Sequence, residues 1–257
     1  MNKAMNIKQR RKSTFWIYNS GFICFTGLIN LFFEHPRFVK RYVIAFFANR
    51  GFPEIESIFL ASVLSGIIGG ISLIAVLFAI VKIEKPVTIR SLFSLYQFDW
   101  RGLCFYFIAL GAFNLIEHLI LRKYLFNPVE SLLLSLGFPQ RPAYSFDPVL
   151  LQFKWLNSMA IISMCWIEFP EELYFRGYFQ KEIYKRFGAF WSIILSAFIW
   201  DIWHFFGLAM ILRRFFVGLI TAVIFHWRNN VWGVAVGHPL GNRLLVLLLI
   251  ILRRKIF

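Results

Sequence analysis

The chain has 257 residues, of which 59% are hydrophobic and 32 are phenylalanine, and its mean hydropathy is +0.64. That is too apolar for an ordinary soluble domain of this length. The formal net charge of +15 does not mark a nucleic-acid binder, because the basic residues gather at the ends of apolar segments: Lys3, Lys8, Arg10, Arg11 and Lys12 at the start, Arg253, Arg254 and Lys255 at the end. Membrane proteins meet anionic lipid and fix their topology in this way.

The first apolar run, 15–33, is longer than a signal-peptide core and no small-x-small cleavage site follows it, so it reads as a retained first span. The stretch "RFVKRYVIAFFANRG", 37–51, is basic and amphipathic and suits an interface or a partial span. Ser57 to Val81 is 25 residues without a charge; at about 1.5 Å per residue it can cross a hydrocarbon core about 30 Å thick. Within it Ser62, Gly66 and Gly70 recur every four residues, a spacing that lets helices approach closely. A third span is expected over 102–121, with the polar pair Glu117 and His118 inside it. "NPVESLLLSLGF", 127–138, is a second short apolar stretch of interfacial type. Four further spans are expected over 155–178, 188–207, 209–226 and 231–252.

Seven spans are clear, and eight fit better if both basic termini lie on one side, which requires an even number of crossings. The expected fold is therefore all-α: a polytopic membrane bundle of seven to eight transmembrane helices, one integral membrane domain over 1–257, with no internal repeat. Cys24, Cys104 and Cys165 lie in apolar stretches at unrelated spacings and read as small buried hydrophobes.

Ionisable residues inside such spans are costly and usually functional. In "WIEFPEELYFRGYF", 166–179, Glu168, Glu172 and Arg176 stack at i, i+4, i+8, and Glu171 lies on the adjoining ridge. Glu172 and Arg176 can pair, which leaves Glu171 without a local cation and available as a base. Pro170 removes one helix hydrogen bond just before the glutamates. A plainer alternative makes Glu171 and Glu172 the solvent-facing end of a helix, since Lys181, Glu182, Lys185 and Arg186 follow. In the next span Trp200 and His204 share a face, and Asp201 sits near enough to orient the histidine. The last polar group is "GHPLGN". His238 and Asn242 are one turn apart, and Pro239 is expected in a first helical turn, where free N–H groups favour a developing anion. Capping alone would also explain such a group. Three segments thus offer a carboxylate base, a histidine to hold water and donors for an oxyanion, with no serine or cysteine nucleophile beside a base.

The order "EELYFR" (171–176), "WDIWH" (200–204) and "HPLGN" (238–242) resembles the CAAX prenyl protease type II and bacteriocin-processing (CPBP, Abi) family of intramembrane endopeptidases, whose motifs are EExxxR, FxxxH and HxxxN. The stretch "FFVGLITAVIFHWRNNVWGVAVGH" resembles the family's penultimate helix and the turn before its final histidine. The resemblance covers about 150–250. It implies a helical bundle around a water-accessible polar cavity, with Glu171 as the base that activates water, His204 sharing that water, and His238 and Asn242 stabilising the oxyanion. Glu172, Arg176, Trp200 and Asp201 would support the site. No cofactor is required on the glutamate mechanism; a zinc-dependent variant would use Glu171, His204 and His238. The implied partners are the lipid bilayer and a membrane-associated peptide or protein substrate, prenylated or a leader peptide, with no nucleic acid. The implied location is the cell membrane, the inner one if the source is bacterial. Trp200 stands where the family has Phe, and Asp201, Pro239 and Gly241 also depart from its pattern. Two other readings remain open at this level: an inactive scaffold or immunity protein of the same family, and an ion- or proton-coupled transporter, which the missing repeat disfavours.

Overall fold

A computed structural model describes residues 15–29, 39–83, 98–136, 166–204 and 208–241. The described residues are helical, with short turns and no strand among them. The helices are α1 (Phe15–Ile29), α2 (Val39–Ala48), α3 (Glu54–Ile83), α4 (Trp100–Ile116), α5 (Asn127–Ser135), α6 (166–172), α7 (Lys181–Trp203), α8 (Leu208–Arg228) and α9 (231–241). Two π-helical stretches are inserted without a break, Glu117–Phe126 between α4 and α5, and Leu173–Gln180 between α6 and α7. α7 changes direction at Gly188, where φ is 80° and ψ is −175°, a backbone shape that glycine adopts without strain.

Among the described residues, Glu56–Ile83 alone forms a single helix long and apolar enough to cross a membrane. Trp100–Ile116 with Leu119–Ser135 qualifies as a pair, bent by 58°. The other expected spans fall short for visible reasons. α1 is short; the 155–178 segment is described from 166 only and is rich in charge; α7 opens with Lys181, Glu182, Lys185 and Arg186; α8 carries Arg213 and Arg214; and the last segment is described to 241. The architecture established here is helical; the count of seven or eight crossings is not.

The core centres on the π-helical stretch Leu173–Gln180, all eight residues of which are buried. Trp200, Trp203, Ile224 and Val234 close around its Phe175 and Phe179 from α7, α8 and α9. α1 is tied to it by both rings and polar groups. Phe15 stacks on Phe179 with centroids 5.9 Å apart, Tyr174 Oη donates to Asn19 Oδ1 at 3.0 Å, and Trp203 Nε1 donates to Thr26 Oγ1 at 2.9 Å. The close approach expected around Gly70 is present: a Cβ there would strike the Trp166 backbone, and Trp166 Nε1 donates to Ile67 O at 3.1 Å. Cys24 and Cys104 are exposed rather than buried, and Cys165 lies outside the described residues.

Candidate functional site

The site is built along one helical face. Glu172, Arg176 and Gln180 follow at four-residue intervals through the π-helical stretch, and each meets a different level of α7, α8 or α9. Arg176 is fully buried. Its Nη1 donates to Ser196 Oγ at 2.9 Å and Nη2 to Gly218 O at 3.4 Å, and its Nε lies 3.4 Å from Glu172 Oε2. One turn on, Gln180 Nε2 donates to Ala222 O at 2.8 Å. A buried guanidinium is stable only with its charge paired, and Glu172 supplies the charge, although Arg176 Nε makes no hydrogen bond among the described residues.

Two carboxylate–histidine pairs lie side by side. Glu172 Oε1 takes a hydrogen bond from His238 Nδ1 at 2.9 Å. Glu171 Oε2 lies 3.5 Å from His204 Nε2 and accepts from Trp200 Nε1 at 3.3 Å. Glu171 therefore has near partners that its own helix does not supply, contrary to the isolated base expected from the sequence. Neither glutamate starts a solvent-facing end: Glu171 is 2% exposed and Glu172 0%. His204 Nδ1 is 2.8 Å from Trp200 O. A carbonyl only accepts, so Nδ1 carries the hydrogen and Nε2 is the nitrogen presented to Glu171.

Trp200 divides the two pairs. Its ring centroid is 4.6 Å from that of His204 and 5.6 Å from that of His238, and the guanidinium carbons of Arg176 and Arg214 lie 5.5 and 5.8 Å from it. The substitution of tryptophan for phenylalanine thus adds an N–H donor aimed at Glu171.

Three sequence expectations need correction or a boundary. Asp201 does not orient His204, whose Nδ1 is held by the Trp200 carbonyl. The Asp201 carboxylate is buried with no hydrogen-bond partner among the described residues, and the charge that acts on it comes from Arg214. His238 and Pro239 are not in a first turn. α9 begins at 231, where Asn230 Oδ1 accepts from Trp232 N at 2.8 Å, so His238 sits two turns into the helix. The free N–H groups and dipole end expected beside it lie elsewhere. Asn242 lies outside the described residues.

The sequence also missed participants. Arg214 on α8 acts electrostatically on Glu168, Glu171 and Asp201; a charge in an expected span was the available signal. Glu117 is the partner of Arg213, at 2.7 Å, beside that residue. Tyr106 on α4 is fully buried, 6.5 Å ring to ring from His238, and nothing in its apolar sequence surroundings marked it. Its helix docks on α9 through Gly233 and Gly237, where an added Cβ would come within 2.9 Å of Gly102 and 2.8 Å of Tyr106.

Residues 153–244 match the family model described as type II CAAX prenyl endopeptidase Rce1-like. The likeness is to this region, which is less than half of the chain. No curated protein and no solved structure gives a match. The Rce1-like region contains both glutamate–histidine pairs, Arg176, Trp200, Arg214 and the position of Asn242; α1 to α5 lie before it. Among the described residues no three His, Cys, Asp or Glu side chains gather as a metal-binding set. Glu171, His204 and His238, the residues of the expected zinc set, do not gather as such a group.

Proposed function

We propose that the protein is a multi-pass intramembrane endopeptidase that cleaves a membrane-associated peptide or protein by glutamate-activated water. The observation that carries this reading is the facing pair Glu171 and His204, 3.5 Å apart in a buried site with the imidazole orientation fixed by Trp200 O. A carboxylate and an unprotonated Nε2 are both acceptors, so the group that satisfies both is a water donating one hydrogen to each. That water is held and polarised for attack. Its oxygen adds to the scissile carbonyl carbon as Glu171 takes its proton, and the proton then passes to the leaving amine as the C–N bond breaks. His238, oriented by Glu172, donates from its second nitrogen to the carbonyl oxygen when doubly protonated. Asn242 is proposed as a second donor there. No metal enters this scheme.

Membrane embedding is part of the proposal. Ile17, Phe78, Trp100, Ile108 and Phe190 are each more than half exposed. Apolar side chains of this size, spread over the outside of the bundle, are covered at no cost by lipid and at high cost by water. The proposed substrate is a peptide anchored at the bilayer, prenylated or a leader peptide; this setting and the family-model match over 153–244 support it.

The test is cleavage of membrane-anchored peptides, prenylated and unprenylated, by purified protein. Wild type is run with and without a chelator, beside Glu171→Gln and His204→Ala. Cleavage lost in both variants and indifferent to the chelator supports the scheme. Loss on chelation with recovery on zinc would replace it by a metal mechanism, and full activity of both variants in cells would remove the peptidase reading.

A further inference from the structure

Where the π-helical stretch ends, α7 begins and α8 ends, the chain forms an open-mouthed cavity of about 410 Å³. It lies two turns from the Glu172–His238 pair, roughly 12 Å along the helix. Gln180, Lys181, Lys185, His226 and Asn229 supply its polar lining, with Tyr184 and Phe225 among the rest. Among the described residues no carboxylate lines it.

The charge around the cavity is positive in excess. Glu182 is the acid nearby, and it is shared between Lys185 and Arg186. Burial and the neighbouring charge of Lys185 push the Lys181 ammonium below its ordinary value. An anion in the cavity would relieve that crowding. Lys181 Nζ sits over the Phe225 ring at 5.6 Å, and Tyr184 packs against His226 with centroids 5.4 Å apart, so each of these side chains is held by an aromatic neighbour.

Gln180 closes the inner wall. Its side chain is 1% exposed and its Nε2 donates to Ala222 O at 2.8 Å. Its Oε1 is buried out of reach of the cavity. The lining that a ligand can meet therefore asks for an anionic group.

The rim indicates the source. Tyr184, Phe187, Phe190, Trp191 and Trp227 are all about half exposed or more, and all belong to the segments bordering this end of the bundle. Aromatic side chains collect at headgroup depth in membrane proteins, and basic pockets between helices at that depth suit lipid phosphates. We propose that this cavity binds the phosphate of an anionic glycerophospholipid headgroup between Lys181, Lys185 and His226. The inference rests on the membrane reading and is independent of the peptidase reading.

The test is native mass spectrometry of the full-length protein, delipidated in detergent and titrated with phosphatidylglycerol or phosphatidylcholine. One phosphatidylglycerol is expected to be retained in preference to phosphatidylcholine. Lys181→Met is expected to weaken retention about tenfold, the scale of one charge-assisted hydrogen bond, while Lys181→Arg and the distant exposed Lys123→Met keep it. Equal retention of both lipids, or unchanged retention in a Lys181→Met protein that melts like wild type, overturns the site. Displacement of phosphatidylglycerol by millimolar inorganic phosphate would overturn the lipid assignment in favour of a soluble phosphate. Release of the protein from membranes by alkaline carbonate would overturn the membrane reading itself.

Discussion

Glu172 divides its carboxylate between His238, at 2.9 Å on Oε1, and Arg176, at 3.4 Å on Oε2, and all three side chains are buried. The Arg176 guanidinium is fully enclosed, with Ser196 and Gly218 as its other partners, so the Glu172 charge is what offsets its own. Neutralising one member of a buried pair costs about 3–5 kcal/mol. Glu172→Gln should lower the melting temperature of the detergent-solubilised protein by roughly 10 °C. A variant that melts with wild type would show that Arg176 is neutralised by another group.

Glu171 makes no comparable structural contact; its neighbours are Trp200 Nε1 and His204 Nε2, at 3.3 and 3.5 Å. Glu171→Gln keeps the volume and one acceptor, so the fold should be retained within a few degrees of melting temperature. Removing the base should slow cleavage about 10²-fold or more. The contrast between the two adjacent glutamates is the informative result: Glu172→Gln is expected to lose stability, Glu171→Gln to lose rate. Single-turnover cleavage alongside thermal melts reads both. Equal loss of stability in the two variants would contradict this division of roles.

Much of this division could be read from the sequence, because four-residue spacing places Glu168, Glu172 and Arg176 on one helical ridge whatever surrounds them. The motif order likewise named His204 and His238. What the spacing could not give was which histidine faces which glutamate, since that depends on how α7 and α9 are rotated against the π-helical stretch. The start of α9 was misjudged around "GHPLGN" because Pro239 and Gly241 look like an opening turn, whereas the cap at Asn230 lies eight residues earlier. Tyr106 and Gln180 were invisible for another reason. A tyrosine or glutamine in an apolar run signals nothing until its neighbours are known. The number of membrane crossings fares worst, since the charges that build the site also dilute the apolar runs by which spans are recognised.

Asp99 and Arg228 clamp the start of α4 to the end of α8 through two hydrogen bonds, Nε to Oδ2 and Nη2 to Oδ1, both 2.9 Å. The Arg228 fork, more than any other influence, holds the Asp99 carboxyl below its ordinary value despite the opposing effect of burial. A carboxyl lowered in the folded state contributes stability above the unfolded pKa of about 3.9 and loses it as pH falls through the folded value. Asp99→Asn should therefore melt below wild type at pH 7, with the gap closing as pH drops below about 4. Arg228→Lys should not restore the clamp, because an ammonium cannot reproduce the two-pronged geometry. Melts at a series of pH values check both, and a gap independent of pH would mean that the ion pair is not its source.

Gly237 and Gly111 make a matched pair for the docking of α4 on α9. A Cβ on Gly237 would lie 2.8 Å from the Tyr106 ring, whereas a Cβ on Gly111 meets nothing within 4 Å. Both are helical, so alanine gains the same intrinsic preference at each, up to about 1 kcal/mol. At Gly111 nothing opposes that gain, and Gly111→Ala should be neutral or mildly stabilising. At Gly237 the new methyl pushes against a fully buried aromatic ring, where overpacking costs about 1–3 kcal/mol. The displacement falls on the residue next to His238, so Gly237→Ala should also reduce cleavage, while Gly111→Ala leaves it unchanged. A Gly237→Ala protein with wild-type melting and wild-type rate would mean that α4 does not set the position of His238. In that case the contribution of Tyr106 to the site would be packing alone.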